Sequence, residues 1–156
     1  MDKTARILIV DDDENIRKVL KAILEDEGYY VESVGTAQEG IERTERSFYN
    51  VALLDIRLPD MEGVELLTKL KDTTPRIRKI IVTGYPTLQN AVQAVNNGAD
   101  GYILKPFDVN KVLEAIKEQL MEQDKEKRYN QNKVAEFIET RIKELTERNE
   151  ITAPQT

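Results

Sequence analysis

Five short apolar runs, "ILIV" (7–10), "YVESV" (30–34), "VALL" (51–54), "KIIV" (79–82) and "YIL" (102–104), are spaced along the chain with longer amphipathic stretches between them. This alternation constrains the fold more than any other feature. Most of the runs are continuously apolar, as in strands covered on both faces, where a strand with one wet face would alternate. Between them, Ile16, Val19, Leu20, Ile23 and Leu24 repeat at helical spacing and stop at Gly28, a residue free to take the left-handed conformation that ends helices. Val64, Leu67 and Leu70 predict a further helix, and Leu88, Ala91, Val92 and Val95 another that closes at "NNG" (96–98). Val109, Val112, Leu113, Ile116 and Leu120 form one more stripe, and 36–46 is read as helical on a less regular pattern. Strand followed by helix, five times over, calls for an α/β domain: a doubly wound five-stranded parallel sheet with helices on both faces.

Such a domain uses about 120 residues, which assigns it 1–120 and leaves 121–156 as a charged helical extension or linker. "MEQDKEKRYNQNK" contains neither Gly nor Pro, so it is compatible with continuing the last helix. Beyond it Val134, Ile138, Arg141 and Leu145 approximate a stripe flanked by Ala135, Phe137 and Ile142. Glu139 with Lys143 and Glu144 with Arg148 stand at i,i+4 in the favourable order, each pair worth about 0.2–0.5 kcal/mol. Dimer formation is one use such a helix can serve. The final "ITAPQT" is expected to fray.

The chain of 156 residues has no cysteine and no histidine. Disulfides, thiolate metal sites, serine-triad hydrolysis and phosphorylation on a histidine of this chain are thereby excluded. A net charge of −6 argues against direct nucleic-acid binding. No apolar run approaches the ~20 residues of a membrane span, and "MDKTAR" leads into too short an apolar segment for a signal peptide. The expectation is a cytoplasmic protein with no membrane contact.

The unusual residues all fall where strands end. Asp11 and Asp12 follow the first apolar run, Asp55 the third, Thr83 the fourth and Lys105 the fifth. In open α/β sheets ligands bind at this carboxyl edge. Acids side by side repel unless something positive shares them, and three converging carboxylates suit a hard divalent cation such as Mg²⁺. A carboxylate beside such a cation can act as a nucleophile toward phosphorus and form an acyl phosphate. Phosphoryl transfer needs positioning and charge neutralisation more than a base. Lys105 offers a positive charge to phosphoryl oxygens, Thr83 a hydroxyl, and Gly84 a backbone N–H with no side chain in the way.

Over about residues 5–120 the chain resembles the receiver domains of two-component response regulators. The resemblance rests on "ILIVDDD" (7–13), "LLDIRLPDMEG" (53–63), "IVTGY" (81–85) and "GYILKPF" (101–107). It implies a flavodoxin-like strand order of 2-1-3-4-5 and makes Asp55 the phosphoacceptor. Asp12 and Asp55 would then bind Mg²⁺ directly, Asp11 chiefly through water, with the backbone carbonyl of Arg57 as a further ligand. Thr83 and Lys105 look like the switch hydroxyl and the phosphate-pairing lysine, Tyr102 like the aromatic that turns inward on activation, and Lys105–Pro106 like the family's cis peptide. The implied donor is a sensor histidine kinase or phosphotransfer protein, and the implied output a protein target. Such a protein modifies no outside substrate, only itself.

Each of these residues also has an ordinary explanation. Asp11 and Asp12 could cap the first helix, although Asp13 is better placed for that. Asp55 could form a turn before Pro59 and Gly63, Thr83 could be a plain strand residue, Lys105 a surface lysine and Tyr102 a partly buried aromatic. A calcium loop starting at Asp11, Asp13 and Asn15 fails at Ile16 and Ala22. Two other functions remain: a phosphatase of the haloacid dehalogenase type with Asp11 as nucleophile and Asp13 as acid, and a receiver-like docking module that is never phosphorylated.

Overall fold

The computed structural model describes residues 4–148. Strands β1 (Arg6–Val10), β2 (Tyr30–Val34), β3 (Val51–Leu54), β4 (Arg78–Thr83) and β5 (Gly101–Leu104) alternate with helices α1 (Glu14–Asp26), α2 (Ala37–Arg46), α3 (Gly63–Leu66), α4 (Leu88–Asn96) and α5 (Val109–Glu147). All strand pairs are parallel, and the sheet runs β2-β1-β3-β4-β5. The doubly wound sheet expected from the apolar runs is therefore present, in the 2-1-3-4-5 order.

Side chains on a strand point alternately to opposite faces, and here that divides the core in two. Leu8, Val10, Leu54 and Ile81 pack with Ala37, Leu66 and Ala94 from α2, α3 and α4. Ile7, Ile9, Leu53 and Val82 pack with Leu20 and Leu24 of α1 and with Val112 and Ile116 of α5. Local chemistry starts and stops the helices. Asp13 caps α1, its carboxylate accepting from the Asn15 and Ile16 N–H groups at 2.9 and 3.2 Å. Thr36 and Thr87 cap α2 and α4. Gly28 and Gly98 follow α1 and α4 with positive φ, +97° and +95°, where a Cβ would be strained.

One helix is shorter than its apolar spacing predicts. The Val64, Leu67 and Leu70 stripe is buried, but α3 ends at Leu66 and passes into turns. Continuing it past Leu66 would require the Thr68 N–H to donate to the Val64 carbonyl. Instead that carbonyl accepts from the Asn97 amide at 2.7 Å, and the Thr68 and Lys69 N–H groups turn to the Glu65 and Leu66 carbonyls three residues back, at 3.2 and 2.9 Å. Farther on, the buried Lys79 ammonium takes the Leu67 carbonyl and Thr44 Oγ1 the Lys71 N–H.

The chain divides into compact units Met1–Gln123 and Asp124–Thr156. In the second, "YNQN" (129–132) is helical, and Val134, Phe137 and Ile138 are exposed. Glu144 pairs with Arg141 at 3.2 Å, and Arg128 with Asp124 at 2.9 Å. The segment "ITAPQT", expected to fray, lies outside the described residues. Among the described residues no helix is long and apolar enough to cross a membrane.

Candidate functional site

Three backbone hydrogen bonds carry the sheet's pairing just past its strands. The Asp11 N–H donates to the Val34 carbonyl at 3.1 Å, that of Asp55 to Val10 at 2.9 Å, and that of Lys105 to Thr83 at 2.8 Å. Each residue is thereby fixed where its strand ends. The chain leaves β1 toward β2 on one side and β3 toward β4 on the other, which makes the β1/β3 boundary the switch point of the sheet. The carboxylates meet at this boundary: one oxygen from each of Asp11, Asp12 and Asp55 lies within 4.8 Å of the others. Asp11 and Asp55 are buried, whereas Asp12 is exposed. Lys105 Nζ reaches in to 2.7 Å from Asp11 Oδ2 and 3.5 Å from Asp55 Oδ2.

The electrostatics follow from this crowding. Burial pushes the Asp55 carboxyl above its ordinary range and the neighbouring charge of Asp11 adds to the effect, with Lys105 and the Arg57 N–H working against them. For Lys105 burial disfavours the ammonium, but its bond to Asp11 and the charges of Asp11 and Asp55 outweigh burial and hold its pKa up. The lysine is a fixed positive charge beside an acid group that resists ionisation.

These side chains line a cavity of about 540 Å³ that also takes in Arg57, Gly84 and Tyr85. Its donors are all hard oxygens, of the type and spacing a divalent cation accepts, so the residues fit the metal implied by the sequence. Not every expected residue reaches the cavity. Thr83 is fully buried, does not line it, and accepts the Tyr85 N–H on its hydroxyl oxygen at 2.9 Å. Tyr102 packs against the core cluster of Leu54 and Ile81, its hydroxyl buried and unbonded. A Cβ on Gly84 would meet only ordinary contact, 3.8 Å from Lys105 Cβ, so its lack of a side chain is not a steric requirement here. The Lys105–Pro106 peptide is cis. Asp13 also lines the cavity, with its Oδ1 occupied by the α1 cap.

Sequence reasoning missed three supports of the site. Arg17, on α1, donates to the Asp11 carbonyl oxygen at 2.6 Å. The Arg57 guanidinium stacks 3.9 Å from the Tyr85 ring centroid, joining two loops at the cavity rim. Gly63 lies against the Asp55 backbone so closely that any Cβ would overlap its carbonyl oxygen. Only Gly63 carries a signal in the sequence, as the glycine closing "LLDIRLPDMEG"; the other two depend on contacts that spacing does not encode.

Residues 7–117 match the family model described as the response regulator receiver domain. The transcriptional regulatory protein ZraR of Klebsiella oxytoca is 34% identical over 114 residues, which are 73% of this chain and 26% of that protein. The chain thus spans about a quarter of that relative's length. A response regulator receiver domain protein (CheY-like) of Methanospirillum hungatei JF-1, known from its crystal structure, is 54% identical with a TM-score of 0.76, covering 80% of this chain and 99% of that one. The beryllofluoride-activated receiver domain dimer of NtrC4 is 36% identical with a TM-score of 0.71, covering 76% of this chain and 98% of that one.

Proposed function

The chain belongs to the response regulator receiver domain family, and on that premise we propose that Asp55 accepts a phosphoryl group from a phosphohistidine on a sensor histidine kinase or phosphotransfer protein. One observation carries this reading: Asp55 is buried at the switch point, its carboxylate within 4.8 Å of those of Asp11 and Asp12, with the Lys105 ammonium 3.5 Å away. An Asp55 carboxylate oxygen attacks phosphorus and an O–P bond forms as the P–N bond breaks; the donor imidazole, already protonated on its other ring nitrogen, takes the P–N electron pair and leaves neutral. Lys105 pairs with the phosphoryl oxygens as their charge shifts. Asp11, Asp12, Asp55 and the Arg57 backbone carbonyl would hold Mg²⁺, which supplies further charge neutralisation to the phosphoryl oxygens when bound.

The new charge then recruits the Thr83 hydroxyl, which donates its own proton to the phosphoryl group while its oxygen accepts the Tyr85 N–H. That shift moves the β4–α4 loop and alters the surroundings of Tyr102, whose buried hydroxyl lacks a hydrogen-bond partner. The output is a changed protein-binding surface on a domain at about 1–120, with 121–156 as an extension and a protein in the cytoplasm as target. A homodimer is compatible with this reading.

The test is incubation with Mg²⁺ and acetyl phosphate, followed by intact-mass measurement. One phosphoryl adduct is expected on the wild type and none on Asp55→Asn. Turnover of phosphate esters that survives Asp55→Asn and dies with Asp11→Asn would replace this reading with the phosphatase. No adduct under any condition would leave the docking module.

A further inference from the structure

Asp60 sits in the loop between β3 and α3, yet its carboxylate bonds to neither element. Oδ1 accepts the Ala37 N–H and Oδ2 the Gln38 N–H, both at 2.9 Å. These are the first N–H groups of α2, the orphan donors that a helix start leaves over. The backbone bonds of Gln38 and Ala37 hold the Asp60 carboxyl below its ordinary range, more than its slight burial raises it.

Helix α2 has a cap of its own. Thr36 Oγ1 accepts the Glu39 N–H at 3.2 Å and donates to the Glu39 carboxylate at 2.9 Å, a reciprocal arrangement within one turn. Local sequence thus serves the Glu39 N–H, and Asp60 supplies the acceptors for the two N–H groups before it. The same contact binds the loop. It is pinned at its base, where the Gly63 N–H donates to the Ile56 carbonyl at 2.6 Å and Arg57 bridges Glu62. Pro59 and Asp60, at its tip, are exposed. The Asp60 bonds tie that tip to a helix 22 and 23 residues away in sequence. That helix in turn lies on β1, where a Cβ on Gly40 would come within 3.0 Å of Val10.

We propose that Asp60 is a positioning residue for the phosphoacceptor site: by clasping the start of α2 it sets the loop that carries Arg57, and with it the backbone carbonyl offered to the metal. The proposal rests on the reading of Asp55 as phosphoacceptor and of the Arg57 carbonyl as a ligand. Asp60 touches neither metal nor phosphoryl group; it acts through the loop.

Two readouts on the full chain test it, with Asp60→Ala and Asp60→Asn, the latter keeping one acceptor oxygen. In the first, amide hydrogen exchange is followed in chelator. Exchange over 56–62 is expected to quicken about tenfold in Asp60→Ala and by less in Asp60→Asn. In the second, the acetyl phosphate reaction is run across Mg²⁺ concentrations. The half-saturating Mg²⁺ is expected to rise about fivefold or more in Asp60→Ala, as when a ligand's outer support is lost, while the rate at saturating Mg²⁺ stays within about twofold, the cost being in binding rather than in the bond-forming step.

Quickened exchange confined to Ala37–Glu39, with unchanged Mg²⁺ dependence, would overturn the proposal and make Asp60 a helix cap only. If Asp60→Ala does not fold, the same two readouts on Asp60→Asn decide. Failure of the wild type to form an adduct would sink the phosphoacceptor reading instead, and the exchange pattern alone would then decide whether Asp60 sets the loop.

Discussion

The Lys105 ammonium lies closer to Asp11, 2.7 Å from Oδ2, than to Asp55, 3.5 Å away. The lysine therefore neutralises the acid pair and must share or release Asp11 to engage a phosphoryl group on Asp55. Two functions rest on one charge, and one substitution separates them. In Lys105→Met, adduct formation from acetyl phosphate is expected to slow about a hundredfold, the scale for loss of a group aimed at developing negative charge. Mg²⁺, no longer opposed by an ammonium at Asp11, is expected to bind at least as tightly as to the wild type. Calorimetric Mg²⁺ titration beside the rate measurement checks both, and weaker binding by the variant would refute the sharing.

Asp55 makes the site costly to the fold. Its carboxyl titrates above the ordinary range because it is buried and beside Asp11. A folded-state pKa above the unfolded one favours the fold while the proton is held, and that contribution is lost as pH rises through the folded value. At pH 7 in chelator the ionised group thus opposes folding. Asp55→Asn is expected to melt a few degrees higher there, a shift corresponding to about 1 kcal/mol in a domain of this size. The gap should close as pH falls below about 4, the ordinary aspartate range, where Asp55 holds its proton in both the folded and the unfolded chain. Melting curves over that range in chelator decide the point, and a wild type that melts above the variant at pH 7 would contradict it.

Asp11, Asp55 and Lys105 were legible in the sequence because each directly follows a run apolar enough to be a covered strand, and parallel strands must end on one edge. Strand limits were legible for the same reason: "VALL" is β3, residue for residue. The orientation of Thr83 was not, because its position follows from the strand but its hydroxyl answers to the Tyr85 N–H. Nor was the end of α3, where apolar spacing runs on to Leu70 but the Asn97 amide takes the Val64 carbonyl that a longer helix would pair. Arg17 and Asp60 were hidden for a related reason. A polar residue on a solvated stretch reads the same whether it meets water or a backbone group that only the folded chain brings near.

Gly63 governs the turn that returns the chain from Asp55 to α3. Its N–H donates to the Ile56 carbonyl at 2.6 Å, and a Cβ would overlap the Asp55 carbonyl oxygen and come within 2.9 Å of Ile56 Cα. Those neighbours are backbone and cannot rotate aside. Gly63→Ala is expected to cost about 1–3 kcal/mol of stability, the usual toll of forced overlap in a packed region. Because the displaced carbonyl belongs to Asp55, adduct formation should fall as well, even at temperatures where the variant is fully folded. Chemical denaturation and the mass assay at low temperature test these together. Full activity in a destabilised variant would show that the strain is relieved away from Asp55.

At the opposite edge of the sheet, Asp100 gathers donors from the segment that leads into β4 and from the strand's first residues. Arg76 grips it with two bonds at 2.6 and 2.9 Å, Arg78 approaches to 3.5 Å, and the Lys79 N–H donates to it at 2.9 Å. Burial alone would raise its pKa, but the Arg76 and Lys79 bonds and the charges of Arg76 and Arg78 outweigh burial and depress it. A folded-state pKa below the unfolded one contributes stability that is present above the unfolded value and lost as pH falls through the folded one. Asp100→Asn is therefore expected to lose about 2 kcal/mol at pH 7, as for hydrogen bonds to a charged group, with the difference from wild type shrinking as pH drops below about 4. Urea unfolding from pH 7 to 3 supplies the comparison. Since Asp100 is remote from the acidic cavity, phosphoryl uptake at Asp55 should survive in the folded variant. Parallel stability–pH curves for the two proteins would show that Asp100 titrates alike in the folded and unfolded chain and would contradict the depressed pKa.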